Sequence, residues 1–89
     1  MTAQILYRLT GRTRRPEEAD LPPREIDLTH IPLHELQKIF HAGPANMLVQ
    51  RSHVGKEKAQ RLEAYCAEPI DTSAYHWEFE GYWSDQKRP

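Results

Sequence analysis

Apolar and polar side chains alternate along residues 75–83, Tyr-His-Trp-Glu-Phe-Glu-Gly-Tyr-Trp. Tyr75, Trp77, Phe79 and Trp83 share one parity, and His76, Glu78, Glu80 and Tyr82 share the other. A period of two is that of a β-strand, whose successive side chains point to opposite faces. The pattern predicts a strand with an aromatic face in the core and an acidic, tyrosine-bearing face in solvent.

The same rule finds two more strands near the N-terminus. Residues 4–9 place Ile5, Tyr7 and Leu9 inward, and Thr10-Gly11 ends that strand. Arg24 to Thr29 alternates with Ile26 and Leu28 inward and forms its antiparallel partner. Between them, residues 12–23 hold three prolines (Pro16, Pro22, Pro23) and dense charge without periodicity, as a loop does. Leu33, Leu36, Ile39 and Phe40 recur at helical spacing. Pro32 suits a helix start, where its missing N–H costs nothing, and Gly43-Pro44 supplies a stop. A helix is expected over about 32–41. Residues 47–54 read as a short third strand, and Lys56 to Cys66 as a second helix with Ala59, Leu62 and Cys66 on one face. Residues 86–89 read as a frayed tail.

The order is therefore β-β-α-β-α-β in a single domain. Two short helices cannot bury so many alternating apolar residues between themselves. The economical solution is an α+β fold, a small antiparallel sheet of three to four strands with both helices on one face. The aromatic strand, as the most apolar, should lie centrally or beside the first strand.

Composition narrows the class. A chain of 89 residues buries only about 60–65% of its unfolded surface, so every large side chain matters to the core. A formal charge of -1 argues against a dedicated nucleic-acid binder, in which a strong basic excess is usual. One cysteine, Cys66, allows neither an internal disulfide framework nor a cysteine-rich zinc site. The Met-Thr-Ala start has no secretory pattern, and no apolar run approaches membrane-spanning length. The expectation is a cytoplasmic protein that uses no cofactor and has no membrane partner.

Charge is unevenly placed. From Leu62 to Gln86 there are six acids (Glu63, Glu68, Asp71, Glu78, Glu80, Asp85) and no Lys or Arg. Basic residues gather at Arg8, Arg12, Arg14 and Arg15, and again at Arg51, Lys56, Lys58 and Arg61. The first cluster could meet phosphates, but Glu17, Glu18 and Asp20 cancel its field. The second lacks interleaved aromatics for base stacking. A small nucleic-acid-binding or regulatory module using these zones is the alternative reading.

Other chemistry is weaker. His30, His34 and His41 could share a helix face as zinc ligands do, yet His30 precedes the helix, and a zinc-protease pattern from His34-Glu35 fails at Lys38. Polar-face histidines are the favoured reading. Cys66 falls on an apolar helix face and reads as a small buried filler. Glu78 and Glu80 share a strand face, but acid–base chemistry on a glycoside needs a cleft that so small a sheet hardly offers. No enzymatic activity is expected.

Three stretches carry a resemblance. They are Glu25-Ile26-Asp27-Leu28 running into Pro32–Phe40, Asn46-Met47-Leu48-Val49 with the second helix, and Asp71-Thr72-Ser73-Ala74-Tyr75-His76-Trp77-Glu78-Phe79-Glu80. Over residues 24–83 the chain resembles small cytosolic bacterial immunity proteins that accompany polymorphic or contact-dependent inhibition toxins. It departs from them in the Pro- and Arg-rich loop at 12–23. Such proteins share no universal binding residues, so none carries over. The resemblance implies a noncatalytic protein that neutralises a cognate toxin by masking its active site or an essential surface. With the acidic C-terminal third, the expected target is a toxin domain, a nuclease by preference, whose basic site an acidic and aromatic surface would meet. On this chain the expected contact set is His76, Glu78, Glu80 and Tyr82, flanked by Glu68, Asp71 and Asp85.

Overall fold

The computed structural model describes residues 4–85. It contains strands β1 (Ile5–Thr13), β2 (Arg24–Asp27), β3 (Arg51–Val54) and β4 (Tyr75–Trp83), with helices α1 (Leu33–Ile39) and α2 (Lys56–Glu63). A 3-10 turn at Pro16–Glu18 punctuates the loop between β1 and β2. The tail expected at 86–89 lies outside the described residues.

The sheet is antiparallel throughout, in the order β2-β1-β4-β3. The predicted α+β architecture and element order hold, and the aromatic strand is central, beside the first strand. The longest pairing joins β1 to β4 over nine residues, from Ile5↔Trp83 to Thr13↔Tyr75. Tyr7, Leu9, Ile26, Val54, Trp77 and Phe79 all point to one face, where Leu36 and Ile39 of α1 and Ala59 and Leu62 of α2 cover them. Phe79 is the hub, stacked with Tyr7 at 5.8 Å between ring centroids and packed against Phe40 at 4.4 Å.

β1 does not stop at Thr10-Gly11 but runs on to Thr13. Gly11 lies directly across from Trp77, and a Cβ there would sit 2.6 Å from the indole ring. This glycine makes room for an aromatic neighbour instead of turning the chain. Gly81 plays the same part on β4, where a Cβ would fall 2.0 Å from the Leu48 carbonyl oxygen. The chain between α1 and β3 crosses the sheet at that point.

That crossing replaces the first half of the expected third strand, so β3 begins only at Arg51. Leu48 is buried with φ 58°, a left-handed conformation for a non-glycine residue, which costs of order 1–3 kcal/mol. Polar contacts hold it there. The Leu48 N–H donates to Asn46 Oδ1 at 2.8 Å, and Gln37 Nε2 donates to the carbonyls of Asn46 at 2.8 Å and Pro44 at 3.2 Å. Tyr7 Oη donates to the Met47 carbonyl at 2.8 Å, and the Gly81 N–H to that of Gln50 at 3.0 Å. α2 ends at Glu63, so Cys66 lies in the turn beyond the helix and is only partly buried.

Trp77 is 1% exposed and its indole N–H donates to the Asp71 carbonyl at 3.0 Å. Trp77→Ala should cost about 3–5 kcal/mol, a large share of the roughly 5–15 kcal/mol that holds a small domain together. Urea denaturation measures it, and unaltered stability would mean that the two faces of β4 are reversed. Gly81→Ala should also lower the melting temperature, because the added methyl meets backbone and not a yielding side chain; an unchanged melting curve would refute the close approach.

Candidate binding face

The sheet face opposite the helices carries no covering element among the described residues. The registers place Glu25 and Asp27 of β2, Leu6, Arg8, Thr10 and Arg12 of β1, His76, Glu78, Glu80 and Tyr82 of β4, and Arg51 and His53 of β3 on it. The four residues predicted as the contact set are thus brought together. Their surroundings differ from those expected, because three guanidinium groups lie among four carboxylates. The face is close to balanced in charge, not acidic.

Arg8 organises this face. Directly across from Glu80, it donates from Nε to Glu80 Oε1 at 2.7 Å and from Nη2 to the same oxygen. Its Nη1 donates to Glu25 Oε1 at 3.0 Å. Arg51 donates from Nε to Glu80 Oε2 at 3.3 Å. The row Glu25–Arg8–Glu80–Arg51 therefore crosses all four strands with alternating sign. Its centre is shielded and its rim is not: the side chains of Arg8 and Glu80 are 13% and 20% exposed, that of Arg51 71%. Burial alone would raise the Glu80 pKa. The hydrogen bonds and charges of Arg8 and Arg51 outweigh it, and the carboxyl ionises below its ordinary value. The Arg8 guanidinium also lies over the Tyr82 ring, 5.1 Å from the centroid, a cation–π arrangement that fixes the tyrosine.

Glu78 has no ion pair among the described residues and is partly exposed. It faces His53 in the register, whose ring tilts against that of His76 at 4.9 Å between centroids. His53 did not stand out in the sequence. Only the pairing of β3 with β4 brings it to the face.

The flanking acids do not join this set. Glu68 pairs with Arg24 at 2.9 Å, and the Arg24 guanidinium lies over Tyr75, on the helix side of the sheet. Asp71 is a turn residue. Its Oδ1 accepts the Ser73 hydroxyl at 2.6 Å and the N–H groups of Ser73 at 2.9 Å and Ala74 at 3.2 Å. Those bonds, the hydroxyl's first, depress its pKa against a smaller opposing effect of burial. Asp85 is exposed just past the far end of β4, about 30 Å of strand from Asp71 at 3.3 Å per residue.

The other candidates disperse as well. Arg14 donates to the carbonyls of Thr72 at 3.0 Å and Tyr75 at 3.2 Å, and Arg15 sits 3.7 Å from Glu18. With Arg8 committed to Glu80, the N-terminal arginines do not form one patch. His30 Nε2 lies 2.6 Å from the Tyr65 carbonyl and His34 beside Glu35 at 3.3 Å. No group of three or more His, Cys, Asp or Glu among the described residues is placed to hold a metal ion. Burial, then the nearby charges of Glu68 and Glu63, push the Cys66 thiol up, which disfavours the thiolate nucleophile. An open depression of about 310 Å³ lies between α2 and residues 70–73; Glu63 at its wall accepts the Ile70 N–H at 3.0 Å. No helix of the described residues is long and apolar enough to cross a membrane.

Sequence reading also missed an apolar rim. Trp83 shares the parity of Trp77 but is 41% exposed, because it lies at the end of β4. Met47 and Val49 flank the buried Leu48 and are themselves exposed. The signal for this rim was available only as a break in the alternation after Phe79, where Gly81 takes an inward position.

No protein-family model, curated protein or solved structure matches the chain.

The Glu80 and Asp71 shifts predict acid sensitivity. A carboxyl whose folded pKa lies below its unfolded value, about 4.3 for Glu and 3.9 for Asp, contributes stability above that value and loses it as pH falls through the folded pKa. Wild-type stability should therefore drop as pH falls below about 4. Glu80→Gln should be less stable than wild type at pH 7, with the gap narrowing on acidification. Melting curves between neutral and acid pH test this, and a gap independent of pH would show that the Glu80 charge does not matter to the fold.

Proposed function

We propose that the protein is a noncatalytic immunity protein that neutralises a cognate toxin domain, a nuclease by preference, by laying the uncovered face of its sheet against it. One observation carries the reading: His76, Glu78 and Tyr82 stand on a central strand whose neighbours already fix Glu80 and the Tyr82 ring. Side chains held before contact lose little freedom on binding, and a rigid aromatic beside a charge is the usual composition of an interface hot spot.

The division of labour among the carboxylates follows from their partners. Glu80 is consumed inside the sheet, where it positions Arg8 and Arg51. Glu78, without an ion pair among the described residues, is the carboxylate that meets a Lys or Arg of the toxin and stands in for the phosphate that the cation otherwise holds. Because the face is nearly balanced in charge, recognition depends on a matched pattern of signs more than on a long-range field.

Co-expression with the protein encoded beside it tests this reading. The wild type should restore growth, whereas Glu78→Lys should fail to protect while melting normally. Loss of a contact worth about 2 kcal/mol weakens binding about 30-fold. Full protection by Glu78→Lys combined with Tyr82→Ala would sink the assignment. A salt-sensitive gel shift with mixed RNA and DNA would instead support the nucleic-acid module.

A further inference from the structure

The two strands that end the sheet are complementary to each other. β2 and β3 are each four residues long and occupy opposite edges. Antiparallel pairing alternates hydrogen-bonded and non-hydrogen-bonded residue pairs. The bonds Leu28 N–H to Tyr7 carbonyl and Gly81 N–H to Gln50 carbonyl fix the phase at both edges. In β2 the pair Asp27↔Arg8 is then non-hydrogen-bonded, so the Asp27 N–H and C=O point away from the sheet. In β3 the pairs Arg51↔Glu80 and His53↔Glu78 are of the same kind, and the backbone groups of Arg51 and His53 point outward.

The side chains at these positions stand on the uncovered face. The β2 edge there is acidic, with Glu25 and Asp27, and the β3 edge is basic, with Arg51 and His53. Like edges would set like charges directly opposite, which is unfavourable, while unlike edges set opposite charges together. Direction agrees as well. Through the order β2-β1-β4-β3 with every pair antiparallel, β2 and β3 run in opposite senses. A second copy placed beside the first with its uncovered face on the same side therefore offers β3 to β2 in antiparallel orientation, with no inversion.

We propose that copies of this chain associate head to tail, the β2 edge of one pairing with the β3 edge of the next. Asp27 then faces Arg51 of the second copy, and Glu25 faces His53. This goes beyond the proposed toxin binding and leaves the uncovered face free for it. The contact is heterologous and does not close in a pair, so it yields chains or rings. A twist of about 20–25° between neighbouring strands makes successive copies coil. With only four residues on each edge the association is weak and depends on charge.

Sedimentation velocity on the whole protein tests this. The average mass should rise with concentration at low ionic strength and fall back to the monomer at high salt, where surface charges are screened. Asp27→Lys spoils only the β2 edge and His53→Glu only the β3 edge. Each variant alone should associate about tenfold more weakly, equivalent to ~1.4 kcal/mol. An equimolar mixture keeps one intact edge on each partner and should form a dimer and nothing larger. A wild type that stays monomeric at low salt and high concentration overturns the proposal without any variant. So does a mixture that associates no better than its components.

Discussion

The nine-residue antiparallel pairing of β1 with β4 is the constraint on which the rest of the molecule depends. It joins the two ends of the chain and puts Tyr7, Leu9, Trp77 and Phe79 on one face, Arg8, Glu78 and Glu80 on the other. A slip of one residue would exchange those faces. The apolar set would then meet water and the charged set the helices, so the hydrophobic effect and the desolvation of charge enforce the same register. Two glycines in this pairing, Gly11 and Gly81, let bulk come close where a side chain would not fit. One receives the Trp77 ring and the other the Leu48 backbone.

The ion row across the uncovered face belongs to the same register. Arg8 and Glu80 are 72 residues apart in sequence yet directly opposite in the sheet. Arg8 reaches β2 through Glu25, while Glu80 reaches β3 through Arg51. A row of alternating charge suits a sheet with water on one side, since each strand is tied to its neighbour without apolar exposure. The row also decides what the face can offer a partner. Arg8 and Glu80 at its centre are spent on one another, and what remains outward is Glu78, the paired histidine rings and Tyr82 at the middle, with the exposed charges of Arg12, Asp27 and Arg51 around them.

Much of the fold was legible because it is written in local periods. The parity of 75–83, the alternation of 24–29 and the helical spacing of Leu33, Leu36 and Ile39 each identify an element and its buried side. The sequence misled where a residue's meaning depends on a distant one. Gly11 reads as a stop, but it is the space for Trp77. Leu48 reads as a strand residue, but Gln37, Asn46 and Tyr7 hold it in a left-handed bend. Trp83 shares the parity of the core and lies at the exposed end of its strand. The candidate face was half legible for the same reason. Its β4 members follow from parity, but the arginines that neutralise it come from β1 and β3. Glu68 and Asp71, close in sequence, are drawn to the helix side by Arg24 and by the turn that leads into β4.

The central claim is that β4 presents one face to the core and the other to solvent, with the core face ending before Trp83. Fluorine NMR of the protein labelled with 5-fluorotryptophan tests it most directly, because the chain holds only Trp77 and Trp83. A soluble paramagnetic co-solute should broaden the Trp83 resonance strongly and leave that of Trp77 sharp. Equal broadening of both, or broadening of Trp77 alone, would contradict the assignment of faces.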